Sequence, residues 1–149
     1  MNELTTMIMI ENSASNEVVV IDRLKKYPGI CFPGGHVERG ESFTQCAIRE
    51  AFEETGLIIE NPILCGIVNW AKKESDERYV EYLFKTTDFS GTISNGTEEG
   101  RVYWVKKNAL ASLNLSQNFD FYLPVFFSEK PVELFGEWTD DFGTAPIIQ

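Results

Sequence analysis

Gly34-Gly35-His36-Val37-Glu38-Arg39-Gly40-Glu41-Ser42-Phe43-Thr44-Gln45-Cys46-Ala47-Ile48-Arg49-Glu50-Ala51-Phe52-Glu53-Glu54-Thr55-Gly56-Leu57 is the stretch that decides the fold. Ser42 and Gln45 have the spacing of a capping box, a hydroxyl at the N-cap and an amide three residues on. Gly56 suits the left-handed residue that ends a helix. Good helix formers fill the interval between them. The spacing therefore predicts a helix opened by Ser42 and closed by Gly56. Upstream, Gly34, Gly35 and Gly40 suit a tight loop whose backbone can approach another group closely.

Glu50, Glu53 and Glu54 stand at i, i+3 and i+4, so they project from one side of that helix. Arg49 reaches Glu53 at i+4, but one guanidinium does not neutralise three carboxylates. A hard divalent cation does, because Mg²⁺ and Mn²⁺ favour carboxylate oxygens. A generic glutamate-rich helix presents a solvated acidic face. Here the acids share an arc with Phe43 and Ala47, and they follow a glycine loop whose carbonyls suit a metal site. Glu41 can contribute from the loop side.

These residues resemble the Nudix box: Gly, five residues, Glu, seven residues, then Arg-Glu-U-x-Glu-Glu-x-Gly-U, with U a bulky aliphatic. Gly35, Glu41, Arg49, Glu50, Glu53, Glu54 and Gly56 fall on the fixed positions, and Leu57 on the last aliphatic one. Ala51 is smaller than the pattern prefers. Seven fixed positions at fixed spacing make this far more specific than a lone glycine motif. The resemblance implies an α/β fold, an α/β/α sandwich around a mixed β-sheet. It also implies hydrolysis of a nucleoside diphosphate linked to another moiety, with Mg²⁺, or Mn²⁺ in its place, as cofactor. By resemblance Glu50, Glu53 and Glu54 carry the metal, the Gly34 carbonyl is a further ligand, and Arg49 orients the carboxylates. Family members differ over which glutamate is the general base; Glu53 is taken here.

The remaining composition is compatible with this. The chain has 149 residues, 43% hydrophobic and 24% charged, which suits one soluble domain over residues 1–149. No apolar run has the length of a membrane span. Met1 to Ile10 has neither a basic region nor a cleavage site, so no leader is expected and a cytoplasmic location is. A net charge of −10 argues against a polymeric nucleic-acid partner, which requires a basic stripe, but not against a small nucleotide bridged by cations. Cys31, Cys46 and Cys65 match no zinc or redox spacing and read as buried thiols. His36 is the sole histidine, which disfavours a histidine metal site or a Ser-His-Asp triad. The sequence sets no oligomeric state.

Along the chain, Leu4 to Ile10 and Glu17 to Ile21 read as a hairpin around Ser13–Asn16. Val18 to Ile21 is a continuous apolar run, as in a strand covered on both faces. Ile30 to Pro33 is extended. Ile58 to Pro62 reads as a connector and Ile63 to Trp70 as a strand. Arg78 to Thr87 alternates, with Tyr79, Glu81, Leu83 and Lys85 on one face. Asp88 to Gly100 reads as a loop with an optional strand near Thr92-Ile93. Arg101 to Val105 is a strand and Lys107 to Leu113 a helical turn. A second helix is expected from about Ser116 to Phe127, limited by Pro124. Lys130 to Glu137 reads as a last strand, followed by a loose final dozen residues.

Substrate choice lies outside the box. Lys25 and Lys26 read as an exposed polar loop, whereas Arg23 resembles a phosphate contact of nucleotide-hydrolysing family members. Glu98 and Glu99 are candidates for a further metal-binding acid, Glu99 preferred. The pattern of Glu99-Gly100, Trp104-Val105 and Asn118-Phe119-Asp120 resembles the MutT-like nucleoside triphosphate branch. There Asn118 would read a base edge, since an amide both donates and accepts. Its competing reading is a helix cap. Asn69 and Trp70 are lesser pocket candidates. The leading expectation is a pyrophosphohydrolase acting on an oxidised guanine nucleotide such as 8-oxo-dGTP. The alternatives are hydrolysis of ADP-ribose, a dinucleotide or a nucleotide sugar, and an inactive nucleotide-sensing module. The intact acids disfavour the last.

Overall fold

The computed structural model describes residues 2–141 and 143–149. Met1, part of the leader reading, and Phe142, part of the loose-tail reading, lie outside the described residues. The first strands are β1 (Glu3–Asn12), β2 (Glu17–Arg23), β3 (Gly29–Cys31) and β4 (Gly34–His36). Helix α1 (Phe43–Thr55) follows, then β5 (Ile58–Glu60), β6 (Ile63–Lys72), β7 (Arg78–Thr86), β8 (Asp88–Ser90), β9 (Gly96–Thr97) and β10 (Gly100–Lys106). A 3₁₀ turn (Lys107–Ser112), helix α2 (Phe119–Phe126), β11 (Val132–Trp138) and β12 (Ile147–Ile148) complete the order.

β1 and β2 are paired only at the hairpin base, Glu11 opposite Val18 and Asn12 opposite Glu17. They then splay. β1 runs on parallel to β7 and antiparallel to β4, while β2 runs antiparallel to β10 and β3. The mixed sheet has the order β12-β11-β6-β7-β1-β2-β10-β9, with β3 beside β2 and β4 beside β1. The splay opens a space between the two halves of the sheet, and the loop after β4 delivers α1 beside it.

Alternation along β1 and β2 builds two cores. Ile8, Ile10, Val19 and Ile21 pack with Ala47, Ala51 and Leu57 on the α1 side. Met9, Val18 and Val20 pack with Phe119, Val125 and Phe126 on the α2 side. Phe32 is gripped edge-on by Phe119 and Phe126, each with a centroid separation of 4.9 Å. This is the expected α/β/α sandwich around a mixed sheet. The small Ala51 fits because it is fully buried against that sheet.

Four local expectations are corrected. Thr92-Ile93 is not a strand; β8 and β9 flank it. The Ile58–Pro62 connector holds β5, which pairs with β8 and buries Ile59. The second helix begins at Phe119 rather than Ser116, because the Ser116 N–H donates to the Ile30 carbonyl at 2.9 Å and Asn118 is left-handed, φ 69°. The tail carries β12, with Ile148 opposite Leu134 and Ile147 opposite Phe135. The last three rest on long-range backbone pairings that local propensity does not encode. All three cysteines are free and buried. Among the described residues, no helix is long and apolar enough to cross a membrane.

Candidate active site

The N-terminus of α1 is locked by the capping box. The Ser42 hydroxyl accepts from the Gln45 N–H at 3.0 Å, and the Gln45 side-chain oxygen accepts from the Ser42 N–H at 2.8 Å. Gly56 ends the helix at φ 83°. These two stops fix the rotation of the helix, and hence where its acids point.

Arg49 is the hub. Its Nε and Nη2 donate to the two Glu41 oxygens at 2.6 and 2.9 Å, a bidentate pair. Nη1 donates to Glu50 at 2.8 Å and to Glu53 at 3.1 Å, and Nη2 also reaches the His36 carbonyl at 3.0 Å. The Arg49 hydrogen bonds hold the Glu41 carboxyl at about 2, well below the usual range. The same bonds push the guanidinium further up.

Glu54 turns the other way, into the interior. Its Oε1 accepts from the Gly34 N–H at 2.9 Å. Burial raises its carboxyl to about 8, with the neighbouring Glu50 and Glu99 adding to the effect and Arg23 opposing it. Glu50 is raised as well, chiefly by burial. Glu53 is the exposed member, at 56% of its side chain. The glycine pair makes room for this packing. A Cβ on Gly35 would stand 2.5 Å from the Glu50 carboxyl, and one on Gly34 would run into the Thr6 carbonyl.

A cleft of about 920 Å³ opens over these groups, large enough for a nucleotide. Glu50, Glu53, Glu54 and Glu99 stand along it together with Arg23 and Lys26. Glu98 does not line it, which favours Glu99 as the further acid. Lys26 is exposed in a loop, as expected, and also borders the cleft. Arg23 is held in the sheet opposite Gly29 and Gly100, and its buried Nε has no hydrogen-bond partner. Asn69 and Asn118 do not line the cleft. Asn69 donates to Glu133 at 3.0 Å and accepts from Arg78 at 3.3 Å. Asn118 is the residue before α2 and makes no side-chain capping bond. Trp70 is buried, its Nε1 donating to the Tyr122 hydroxyl at 3.0 Å.

The donor set fits a hard divalent cation. Glu50, Glu54 and Glu99 bring negative charge close together, and burial leaves the Glu54 charge poorly compensated. Among the described residues, no three His, Cys, Asp or Glu side chains already converge on one point that could hold an ion. Arg49 holds Glu50 at 2.8 Å and Glu53 at 3.1 Å. Gly34 meets Glu54 through its N–H.

Residues 1–125 match the NUDIX domain. The chain belongs to the Nudix family. A Bacillus subtilis protein named Uncharacterized Nudix hydrolase YvcI is 34% identical over 87 residues, 56% of this chain and 55% of that protein. A second B. subtilis protein, provisionally named an 8-oxo-dGTP diphosphatase, is 30% identical over 96 residues, 64% of this chain and 62% of its own length. A Methanocaldococcus jannaschii protein named ADP-ribose pyrophosphatase is 28% identical over 100 residues, 66% of this chain and 59% of its own. The matched region thus spans less than two thirds of each of these relatives. A crystal structure of a MutT protein from Bacillus halodurans superposes with a TM-score of 0.84 at 23% identity, covering 99% of this chain and 97% of that one. That likeness carries the Nudix fold.

Among the cleft residues that sequence reasoning missed are Tyr79 and Glu81 on β7. The available signal was the alternation itself. Glu81 shares a face with Leu83, which is fully buried, so a carboxylate is carried into the interior.

Proposed function

We propose that the protein is a divalent-metal-dependent Nudix pyrophosphohydrolase that cleaves a nucleoside triphosphate to nucleoside monophosphate and pyrophosphate, with 8-oxo-dGTP the leading substrate. The observation that carries this reading is the shared cleft, which sets the box glutamates and Glu99 together with Arg23 and its unpartnered Nε. A polyphosphate needs both features. Arg23, with Lys26 beside it, binds non-bridging phosphate oxygens. Glu50, Glu53, Glu54, Glu99 and the Gly34 carbonyl would hold Mg²⁺ or Mn²⁺. Once bound, the ion neutralises phosphate charge and lowers the pKa of water. Glu53, the exposed acid, takes a proton from the attacking water. That water's oxygen bonds to phosphorus as the bond to the pyrophosphate oxygen breaks. Arg49 fixes the orientation of Glu41, Glu50 and Glu53 and does not touch the reacting atoms.

The provisional name of the second B. subtilis relative supports the oxidised guanine nucleotide as first choice. The test is a product analysis with Mg²⁺ across 8-oxo-dGTP, the common dNTPs, ADP-ribose, a dinucleotide and a nucleotide sugar. Pyrophosphate released from 8-oxo-dGTP is the expected result. Cleavage of ADP-ribose alone would sink the triphosphate reading, and tight nucleotide binding without any turnover would favour a sensing module. Glu53→Gln is expected to lower kcat by at least about 100-fold at saturating Mg²⁺ while the fold is kept, since removing a general base costs about that factor. Full activity in that variant refutes the assignment.

A further inference from the structure

Glu81 has no part in the chemistry above, yet it lines the same cleft. It lies in the middle of β7, opposite Thr5 on β1 and Val68 on β6, and is only 7% exposed. One oxygen, Oε1, accepts from the Tyr79 hydroxyl at a long 3.4 Å. The other, Oε2, is buried and has no hydrogen-bond partner. Behind them stands Tyr122, which takes the Trp70 Nε1–H at 3.0 Å. A buried carboxylate oxygen without a partner is costly, so this one is poised to take a donor from whatever enters the cleft. Tyr79 and the exposed Tyr27 line the same cleft. A cleft-lining carboxylate with one oxygen left unpaired is complementary to the donor edge of a base.

We propose that Glu81 is a specificity-determining residue whose carboxylate accepts hydrogen bonds from the ring N–H and amino group of a guanine-type base. This inference rests on the nucleotide reading of the same cleft. An ionised carboxylate accepts only. Guanine places two donors side by side on its pairing edge. Adenine and cytosine place a ring acceptor beside their amino group, and thymine has one donor between two carbonyls. An oxidised guanine carries its extra oxygen on the opposite edge. Glu81 therefore selects guanine over other bases and does not itself separate oxidised from ordinary guanine. Asn118, which does not line the cleft, is replaced in the base-reading role.

The test compares wild type with Glu81→Gln, in which an amide N–H faces the base donors. Turnover is measured on 8-oxo-dGTP, dGTP, dATP, dCTP and TTP, and calorimetry gives Kd for dGMP and dAMP. Loss of one charge-assisted hydrogen bond lowers kcat/KM by about 10–100-fold for both guanine nucleotides. The other three are expected to change by less than about threefold on that basis, and the thermal midpoint is not lowered. Equal losses across all bases, or none, overturn the inference and leave the proposed reaction standing. If wild type cleaves no triphosphate, the proposed reaction fails, and the binding data decide the inference separately. It survives if wild type prefers dGMP over dAMP and the variant does not; it falls if wild type shows no such preference. Should Glu81→Gln fail to fold, Glu81→Asp, which withdraws the carboxylate from the base by one methylene, replaces it. A several-fold fall in the same dGMP preference supports the assignment, and an unchanged preference overturns it.

Discussion

The same residue type takes three different proton affinities in and beside one cleft, and each has an identifiable cause. Glu41 is held at about 2 by two hydrogen bonds from Arg49. Burial lifts Glu54 to about 8 and Glu81 to about 7. The sign for stability follows. A carboxyl raised in the folded state binds its proton more tightly there than in the unfolded chain, where the value is about 4.3. Between about pH 4.3 and 7 the folded state therefore holds more protons than the unfolded state, and Glu81 costs stability progressively as pH rises through that window. Above pH 7 the penalty is constant. Glu81→Gln removes it. The variant is expected to match wild type near pH 4 and to exceed it at pH 8 by an amount on the order of 1–3 kcal/mol, read from chemical denaturation at both pH values. A variant less stable at pH 8 shows instead that the carboxylate stabilises the fold. Arg23, Thr5, Tyr79 and Tyr122 all face this carboxyl and limit the shift.

At the scale of elements, α1 is fixed by its ends and the sheet by distant partners. Ser42→Ala removes one half of the capping box and should cost ~1 kcal/mol, lowering Tm by roughly 2–4 °C in a thermal scan. Gly35→Ala acts differently. Its Cβ meets the end of the Glu50 side chain rather than backbone, so the fold can yield. The expected result is a Tm within about 2 °C of wild type, since only a flexible side chain must move, but a loss of at least about tenfold in kcat from the misplaced carboxylate. An unchanged kcat would show that the position of Glu50 does not matter. The contrast also explains what the sequence could disclose. Ser42, Gln45 and Gly56 act within four residues of their partners, so the helix was legible to the residue. So was the two-faced burial of Val18–Ile21, which follows from an unbroken apolar run. β5 with β8 and β11 with β12 were not legible, because Ile59 and Ile148 find strands well removed along the chain. The site divides the same way. Arg49, Glu50 and Glu53 lie within about one turn of each other, whereas Glu81 enters the cleft only because β1 pairs in parallel with β7. Asn118 followed a pattern of residue types, but the bond from Ser116 to Ile30 delays the helix it was meant to ride on.

At the scale of the whole molecule, the net charge of −10 and the cleft belong to one electrostatic problem. The chain places Glu50, Glu54 and Glu99 near one another and gives Arg49 to Glu41, Glu50 and Glu53, leaving Glu54 under-neutralised. Whatever neutralises this cluster binds the folded state alone, since the unfolded chain separates these acids. A ligand of the folded state stabilises by RT ln(1 + [L]/Kd), or ~1.4 kcal/mol at ten times Kd. Without nucleotide, Mg²⁺ at that level should raise Tm by roughly 3–6 °C for a chain of this size. NaCl at matched ionic strength screens exposed charges without filling the site. The comparison therefore isolates specific binding from general relief of repulsion. Glu54→Gln separates them again, because it keeps an oxygen for the Gly34 N–H while removing the inner charge. It should be more stable than wild type without Mg²⁺ at pH 8 and gain less than about 1 °C from the ion, as expected when affinity for the ligand is lost. If NaCl and MgCl₂ shift wild type equally, these acids are relieved by screening alone. If Mg²⁺ shifts both proteins equally, it binds somewhere other than beside Glu54.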